Sequence, residues 1–330
     1  MKIAFVLPTL FAGSTKRNGI KMQAILWGKA LAERGHKVEF VSPWNDYDWQ
    51  SFDVIHIFSS EDFGLINNLH RKGINNIVMS PIIDTIQSKR AYKFASYWGS
   101  QKLRLTSPNF LFRINSNKIQ RYCVRSHYEA GFVENSYGVS SDRIDIIPLS
   151  YRLSCDNLDL NMKEPYCFHI STLSQERKNV RRLIQASIKY NFKLVLAGSP
   201  GSDTAFAPLK ELIDNNSNIS YLGIISDEEL INQYKKAKVF ALPSICEGVG
   251  MVALDAAMFG CEVVITKIGG PKEYYADLAH VVDPYSVDCI GQGIIKALQG
   301  HNQPALKEHM QNNFNFNICV NKLIQMYSKL

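Results

Sequence analysis

The segment PSICEGVGMVALDAAMFGCEVVITKIGGPKEYY, residues 243–275, determines how this 330-residue chain is interpreted. It follows the apolar run VFAL (239–242), whose composition is typical of a buried parallel strand. A glycine-containing turn, an Ala-rich helical stretch and a second apolar run, EVVIT (262–266), then come in that order. The segment therefore predicts strand, turn, helix and strand. Because the first turn of such a helix leaves N–H groups unpaired, it suits a phosphate or an electron-rich sugar hydroxyl.

Two acidic residues flank the start of that predicted helix. Glu247 lies in the turn, and Asp255 lies one to two helical turns further on. A carboxylate repels a phosphate, so both residues are better suited to accept hydrogen bonds from ligand hydroxyls. The alternative is that Glu247 caps the helix and Asp255 is a solvated surface residue. The residues alone leave both interpretations open.

The same segment resembles the signature P-S-x-x-E-G-F-G-x-x-x-x-E-A-M-x-x-G of retaining GT-B glycosyltransferases, especially glycosyltransferase family 4. The chain reads PSICEGVG (243–250) and then DAAM (255–258), so Val249 replaces the usual Phe and Asp255 replaces the second Glu. The resemblance implies an α/β fold of GT-B architecture, with two Rossmann-like domains facing a central cleft. It also implies that Glu247 contacts hydroxyls of the donor sugar and that Asp255 contacts the ribose hydroxyls.

A second segment, STLSQERKN (171–179), lies between a predicted strand, YCFHI (166–170), and a predicted helix. It resembles the family's G-x-L-x-x-x-K-x phosphate loop, with Lys178 at the position of the diphosphate-binding lysine. Thr172 stands where relatives often have Arg, and we expect Arg177 to compensate. Charge-assisted bonds from a Lys–Arg pair suit a diphosphate. The alternative is a solvated helix start, although cations at that position oppose the helix dipole.

The resemblance implies a set of site residues on each side of the reaction. The expected catalytic residues are Glu247, Lys178 and Arg177, and the expected donor-binding residues are Thr172, Gly223, Ile225, Gly248, Val249, Gly250, Met251, Val252 and Asp255. Where many relatives carry an acceptor-side His, this chain has Ser80-Pro81, so Gly19, Ser80 and Asp84 are the acceptor-side candidates. We expect no metal and no cofactor apart from the donor, because the two cations supply the positive charge.

The function implied by the resemblance is retaining, metal-independent transfer of a sugar from a nucleotide sugar, for which a UDP-sugar is predicted. The expected acceptor is a glycan or an undecaprenyl-diphosphate-linked glycan in bacterial surface polysaccharide (O-antigen or capsule) biosynthesis. Two alternatives remain. One is a catalytically silent nucleotide-sugar-binding or scaffold protein, and the other is a different GT-B enzyme, such as a nucleotide-sugar epimerase or a phosphorylase.

The length of the chain predicts two domains. We expect an acceptor-binding domain at 1–150, a polar, aperiodic linker at 151–165 and a donor-binding domain at 166–303. A C-terminal helix at 304–330 is expected to pack back on the first domain, as in GT-B relatives. The opening loop around Gly13 lacks GxGxxG, so a nicotinamide-binding fingerprint is disfavoured.

The net charge of +7 is unevenly distributed. Between Thr85 and Tyr128 there is no Asp or Glu, and aromatic residues are interleaved with basic ones. The basic residues of this region are Lys89, Arg90, Lys93, Lys102, Arg104, Arg113, Lys118, Arg121 and Arg125. This composition favours an anionic membrane surface or a polyphosphate, and no nucleic-acid-binding motif accompanies it. The alternative is a solvated basic face whose aromatic side chains point inward.

The apolar runs and the cysteines bear on where the protein is located. No apolar run reaches the length of about 20 residues needed to span a bilayer, and the N-terminal run is interpreted as a strand rather than a signal peptide. The seven scattered cysteines without CxxC predict reduced, buried thiols. We therefore expect a cytoplasmic protein, peripheral on the inner face of the membrane.

Two further polar features are interpreted without a functional role. His56, inside a predicted strand, is interpreted as a hydrogen-bonded core histidine. The Asp46-Tyr47-Asp48 pattern is interpreted as a chance match to D-x-D.

Overall fold

The computed structural model describes residues 1–8, 19–42, 45–59, 63–155 and 157–330, so the loop around Gly13 lies outside the described residues. These residues form two compact units. The first unit comprises Met1–Ile83, Gln87–Leu149 and Phe316–Leu330, and the second comprises Asp84–Ile86 and Ser150–Asn315. The predicted linker therefore falls within the second unit.

The first unit contains a six-stranded, parallel sheet in the order β2-β1-β3-β4-β5-β6. Its strands are β1 (Lys2–Val6), β2 (Lys37–Val41), β3 (Val54–Phe58), β4 (Ile77–Ser80), β5 (Arg121–Val124) and β6 (Ile144–Ile146). Its helices are α1 (Gly19–Glu33), α2 (Phe63–Arg71), α3 (Lys89–Tyr97), α4 (Pro108–Asn115), α5 (His127–Tyr137) and, at the end of the chain, α12 (Phe316–Tyr327). Strands alternating with helices give a parallel sheet because each helix carries the chain back across one face.

The second unit contains another six-stranded, parallel sheet, in the order β12-β11-β10-β7-β8-β9. Its strands are β7 (Glu164–Ile170), β8 (Lys193–Ala197), β9 (Ile219–Tyr221), β10 (Ala237–Leu242), β11 (Glu262–Thr266) and β12 (His280–Val282). Its helices are α6 (Val180–Tyr190), α7 (Asp203–Asp214), α8 (Asp227–Lys236), α9 (Met251–Met258), α10 (Val287–Gln299) and α11 (Ala305–Asn313). Numbered within the unit, the strand order is 3-2-1-4-5-6, which is the order of dinucleotide-binding Rossmann domains.

The apolar runs of the sequence explain why these strands form. All five residues of β3 and all five of β11 are buried, as expected for strands covered on both faces. In α1, Ala24, Trp27 and Leu31 are buried at helical spacing and face the sheet. The fold class predicted from the sequence, two Rossmann-like α/β domains, is thus confirmed.

The C-terminal region differs from the prediction of one helix over 304–330. Phe314 ends α11, and a new helix, α12, begins at Phe316. At this break the chain leaves the second unit, which contains α11, and returns to the first unit, which contains α12. Helices α2, α3, α4 and α7 were not predicted from the sequence.

A buried polar network ties α12 to the sheet of the first unit. His56 is 0% exposed, and its Nδ1 lies 2.6 Å from the Tyr327 hydroxyl. Its Nε2 lies 2.8 Å from the Ser80 hydroxyl, and Ser80 is itself 2% exposed. His56 is therefore a core histidine with both ring nitrogens hydrogen-bonded, which confirms the sequence interpretation.

We predict that protonation of His56 makes the first unit acid-sensitive. Burial lowers the pKa of His56 to about 3, whereas an unfolded histidine titrates near 6.5. Since the unfolded state binds the proton first as the pH falls, stability that is present above about pH 6.5 is lost toward acid. Between about pH 7 and about pH 5 this single group should lower the free energy of unfolding by about 2 kcal/mol.

Urea unfolding of the wild type and of His56→Gln at both pH values measures the effect. The variant should lose about 2 kcal/mol less than the wild type on acidification. His70→Gln, at an exposed position of the same unit, is the control and should keep the wild-type pH dependence. Equal acid sensitivity of wild type and His56→Gln would contradict the prediction.

Candidate functional site

The strand order of the second sheet marks one edge as the place for a ligand. The order reverses between β7 and β10, which are hydrogen-bonded neighbours. In open parallel sheets, ligands bind outside the carboxyl ends of the strands at such a switch point. The loops that leave this edge are 171–179 after β7 and 243–250 after β10. Both motif segments of the sequence therefore lie side by side.

The loop after β7 positions two cations before α6 begins. A short 3₁₀ helix, Glu176–Lys178, carries both Arg177 and Lys178. Asn179 then adopts a left-handed conformation with φ of 59°, which Asn tolerates better than most residues. Its side-chain amide donates to the carbonyls of Pro243 (2.8 Å) and Pro284 (2.7 Å). Asn179 thereby fixes the end of this loop against the loop after β10.

Two glycines shape the loop after β10, one within that loop and one in the loop after β11. Gly250, with φ of 75°, forms the N-cap of α9. Gly269, with φ of 111°, lies against the backbone of Glu247, and a Cβ there would come within 1.9 Å of the Glu247 carbonyl oxygen. The Gly270 N–H donates to that oxygen at 3.2 Å. The loop after β11 therefore holds the Glu247 backbone in place.

The buried side chain of Glu247 joins the two loops through an ion triad with two partly exposed cations. Lys178 Nζ lies 2.7 Å from Glu247 Oε2, and Arg177 Nη1 lies 3.1 Å from Glu247 Oε1. The Ser244 hydroxyl also donates to Oε2 at 3.1 Å. The Ile245 N–H donates to the Arg177 carbonyl at 2.8 Å. Both predicted catalytic cations are thus in direct contact with the third predicted catalytic residue, Glu247.

The electrostatics of this triad favour three charged groups. Burial pushes the pKa of Glu247 up, but the Lys178 ammonium and then the Arg177 guanidinium outweigh it, so that the pKa lies below its ordinary value. Burial also opposes the charge of Arg177, and Glu247, followed by Asp84, holds the Arg177 pKa above its ordinary value. Asp84 is exposed and is grouped with the second unit. The cations that oppose the helix dipole are therefore balanced by carboxylates.

Asp255 has a different environment from the one expected for a ribose contact. It is 0% exposed, and its carboxylate accepts hydrogen bonds from the Arg152 N–H (2.7 Å), Arg152 Nε (2.9 Å) and the Leu153 N–H (3.2 Å). Arg152 Nη2 also donates to it. Burial raises the pKa of Asp255, and Arg152 opposes that rise. In this arrangement Asp255 anchors the segment before β7 to α9, and a ribose contact by it stays a prediction.

The other predicted donor residues lie in loops at the carboxyl ends of the strands of the same sheet. Thr172 is exposed, and Gly223 and Ile225 are half-buried in the loop after β9. The Gly198 N–H donates to the Gly223 carbonyl at 2.8 Å, which joins the loops after β8 and β9. Just before α9, Gly248 and Val249 are buried and Gly250 is half-buried. The first two residues of α9, Met251 and Val252, are also half-buried.

The three acceptor-side candidates have different environments. Gly19 is exposed at the start of α1, and Ser80 is buried against His56, so its hydroxyl is not on the surface. Asp84 is the candidate whose charge acts on the triad, because it raises the pKa of both Glu247 and Arg177. Among the described ranges, no group of three or more His, Cys, Asp or Glu side chains is arranged to hold a metal ion.

Sequence reasoning missed two residues that support the site. Arg152 lies in a polar, aperiodic stretch, and nothing in its neighbourhood indicates that it pairs with Asp255. Asn179 offered a signal, since Asn directly before a helix is a common cap and tolerates positive φ. Here it caps through its backbone conformation, while its side chain bonds two carbonyls elsewhere.

Comparison with solved structures identifies the class of fold. Sucrose-phosphate synthase from Thermosynechococcus elongatus is similar with a TM-score of 0.79 and 15% identity, over 100% of this chain and 99% of that one. Anabaena HepE in complex with UDP is similar with a TM-score of 0.72 and 15% identity, over 100% of both chains. The two parallel-sheet units therefore have the GT-B fold.

Comparison of sequences finds relatives of the second unit. Residues 154–314 match the family model described as glycosyl transferases group 1. The O-antigen chain mannosyltransferase B of Escherichia coli is 34% identical over 141 residues, which are 41% of this chain and 37% of that protein. The chain thus spans well under half the length of this curated relative. The matched segment, 154–314, holds the triad, so the likeness to group 1 glycosyl transferases covers the candidate site.

We predict that the Arg152–Asp255 pair behaves as a buried ion pair in a double-mutant cycle. Arg152→Met leaves the Asp255 carboxylate buried without its cation and should destabilise the second unit by about 3–5 kcal/mol. Arg152→Met combined with Asp255→Asn removes the buried charge, so the double variant should recover part of this loss. Urea unfolding of the four proteins measures the coupling. A double variant that is as unstable as the sum of both single variants would show that the pair is not coupled.

Proposed function

We propose that this chain is a retaining glycosyltransferase that moves a sugar from a nucleotide-sugar donor bound at the carboxyl edge of the second sheet. The observation that carries the proposal is the triad of Lys178, Glu247 and Arg177 at the switch point of a 3-2-1-4-5-6 sheet. The group 1 glycosyltransferase match over 154–314 supports it. The UDP in the complex of Anabaena HepE supports UDP as the nucleotide of the donor.

In this mechanism the two cations act on the departing diphosphate. As the bond between the anomeric carbon and the diphosphate oxygen breaks, negative charge grows on that oxygen and positive charge grows on the sugar. Lys178 and Arg177 stabilise the transition state, where this negative charge has grown, more strongly than they stabilise the ground state. This difference lowers the barrier. Unpaired N–H groups at the start of α9, near Gly250, add to this field. The side-chain cations supply positive charge that a metal provides in other transferases, so the proposal needs no metal.

Glu247 has a second task in the same proposal. Its side chain is paired with both cations, so a bound diphosphate would compete with it for them. A carboxylate released from one cation is an acceptor for hydroxyls of the donor sugar, because an ionised carboxylate accepts several hydrogen bonds. Thr172, Gly223, Ile225 and the start of α9 form the remaining wall for the nucleotide. Asp84 is the proposed acceptor-side carboxylate, because its charge reaches the triad.

The proposed acceptor is a glycan, free or linked to a lipid diphosphate, in surface polysaccharide assembly. The similarity to an O-antigen chain mannosyltransferase over 41% of this chain supports that class of product. The proposed location is the cytoplasm, at the inner face of the membrane, where such lipid-linked acceptors are exposed.

We predict that a nucleoside diphosphate stabilises the protein through Lys178. At about 100 times its dissociation constant, one of UDP, GDP, ADP and dTDP should add about 2.7 kcal/mol to stability in the presence of a chelator. Thermal melting measures the shift, which should be lost in Lys178→Ala. Lys210→Ala, which removes an exposed lysine of the same unit, is the matched control and should keep the shift. A full shift in Lys178→Ala would remove Lys178 from the diphosphate site.

We predict that turnover depends on the same residue. With the stabilising nucleotide as its sugar conjugate, Lys178→Ala should lower kcat by about 10²–10³-fold, the usual effect of removing one group that stabilises a developing anion. NMR of the product should show the anomeric configuration of the donor. Nucleotide binding without sugar transfer would instead support the catalytically silent alternative, and product of inverted configuration would overturn retention.

A further inference from the structure

Helix α3 and the turn that follows it, residues 98–105, present large apolar side chains to solvent. We call these residues, 89–105, the α3 surface. Its exposed apolar residues are Phe94 (66% exposed), Tyr97 (49%), Trp98 (69%), Leu103 (70%) and Leu105 (59%). Single exposed apolar residues are normal on protein surfaces, but a cluster within one short stretch of chain indicates an interaction site.

The backbone holds these side chains outward. The turn is closed by a bridge in which the Ser100 N–H donates to the Leu105 carbonyl at 2.8 Å and the Leu105 N–H donates back at 3.0 Å. The Trp98 N–H donates to the Phe94 carbonyl at 2.9 Å, and the two rings stack with centroids 5.7 Å apart. In contrast, Tyr92 turns inward and is 8% exposed. The expectation that all the aromatic residues point inward therefore holds for only part of this region.

The nine cations between Thr85 and Tyr128 also divide into a group with partners inside the first unit and an exposed group. Four of them have partners within the first unit: Arg113 donates to the Ser96 carbonyl, Lys118 to Asn115, Arg121 to Asp145 and Arg125 to Glu129. The exposed cations of the α3 surface are Lys89, Arg90, Lys93, Lys102 and Arg104. Helix α5, which packs against α3, carries Glu129, which is paired with Arg125, and the exposed Glu134. The α3 surface thus combines a net positive charge with exposed apolar side chains.

We propose that the α3 surface docks on the headgroup region of an anionic phospholipid bilayer. Phe94, Trp98, Leu103 and Leu105 would enter the boundary between headgroups and acyl chains and bury apolar surface there. Trp98 suits this boundary in particular, because its apolar ring carries a polar N–H. The surrounding lysines and arginines would contact lipid phosphates. A soluble polyanion would use the cations but not the apolar side chains, and an apolar protein partner would not use the five cations. An anionic lipid surface uses both. The proposal is independent of sugar transfer.

Vesicle co-sedimentation with purified full-length protein tests the charge component. The wild type should bind vesicles of phosphatidylcholine mixed with phosphatidylglycerol, bind phosphatidylcholine alone much less, and be released by salt. Changing Arg90, Lys93, Lys102 and Arg104 to Gln should lower the partition more than about a hundredfold, at about fivefold for each cation. A control with Lys29, Lys37, Arg71 and Lys72 changed to Gln removes four exposed cations elsewhere in the first unit and should bind like the wild type.

Two further measurements test the apolar component. Trp98→Ser should lower the partition about tenfold through lost apolar burial, whereas Ile25→Ala, on the exposed side of α1, should not. Tryptophan emission should shift to the blue when anionic vesicles are added, and the shift should vanish in Trp98→Phe. Trp27 and Trp49 are buried and should not respond. The Trp98→Phe variant keeps the other three tryptophans of the chain, so loss of the shift in that variant assigns it to Trp98.

Three results would overturn the proposal. They are no binding to anionic vesicles at low salt, equal loss of binding in both four-cation variants, and a concentration-dependent dimer abolished by Trp98→Ser. The last result would assign the surface to a second copy of the chain. Melting temperatures of all variants show whether each is folded, and nucleoside diphosphate binding, measured without vesicles, should be unchanged by every α3-surface substitution.

Discussion

The Glu247 carboxylate, held between Lys178 and Arg177, is the interaction on which the candidate site depends. A carboxylate that is 6% exposed is tolerated only if it is paired and hydrogen-bonded, and removing a partner from such a group typically costs about 3–5 kcal/mol. The pairing therefore fixes the separation of two loops that follow different strands. The backbone bond from Ile245 to Arg177 fixes the same two loops a second time, so the cations have little freedom to move apart.

The sheet order explains why these groups meet at this edge. Loops 171–179 and 243–250 are about seventy residues apart in the chain, but they follow neighbouring strands, β7 and β10. All carboxyl ends of a parallel sheet point the same way, so both loops and the start of α9 reach one edge. Gly269, from the loop after β11, then approaches the Glu247 backbone more closely than any side chain would allow. Two cations, a carboxylate and the N-terminus of α9 are thereby concentrated in one place.

The sequence predicted the elements whose apolar pattern is one-sided or continuous. The run EVVIT predicts β11 with the bounds that the structure shows, Glu262–Thr266, because a strand buried on both faces is apolar throughout. Helix α3 was missed because Phe94 and Trp98 point to solvent, so no single apolar stripe marks its buried face. Resemblance brought Lys178, Arg177 and Glu247 into one predicted site. Their mutual pairing could not be predicted, because it depends on the order of the strands in the sheet.

Glu247 and Asp255 show how similar residues in one motif take different physical roles. Both are buried, but the cations beside Glu247 keep 21% and 16% of their side chains exposed, so a dissolved anion can reach them. Asp255 is 0% exposed, and two of its donors are backbone N–H groups, which a ligand could displace only by moving the chain. Of the two carboxylates, Glu247 is therefore the one whose ion pairs a bound anion can replace. Asp255, one methylene shorter than the usual glutamate, is engaged by Arg152 and holds the segment before β7 against α9.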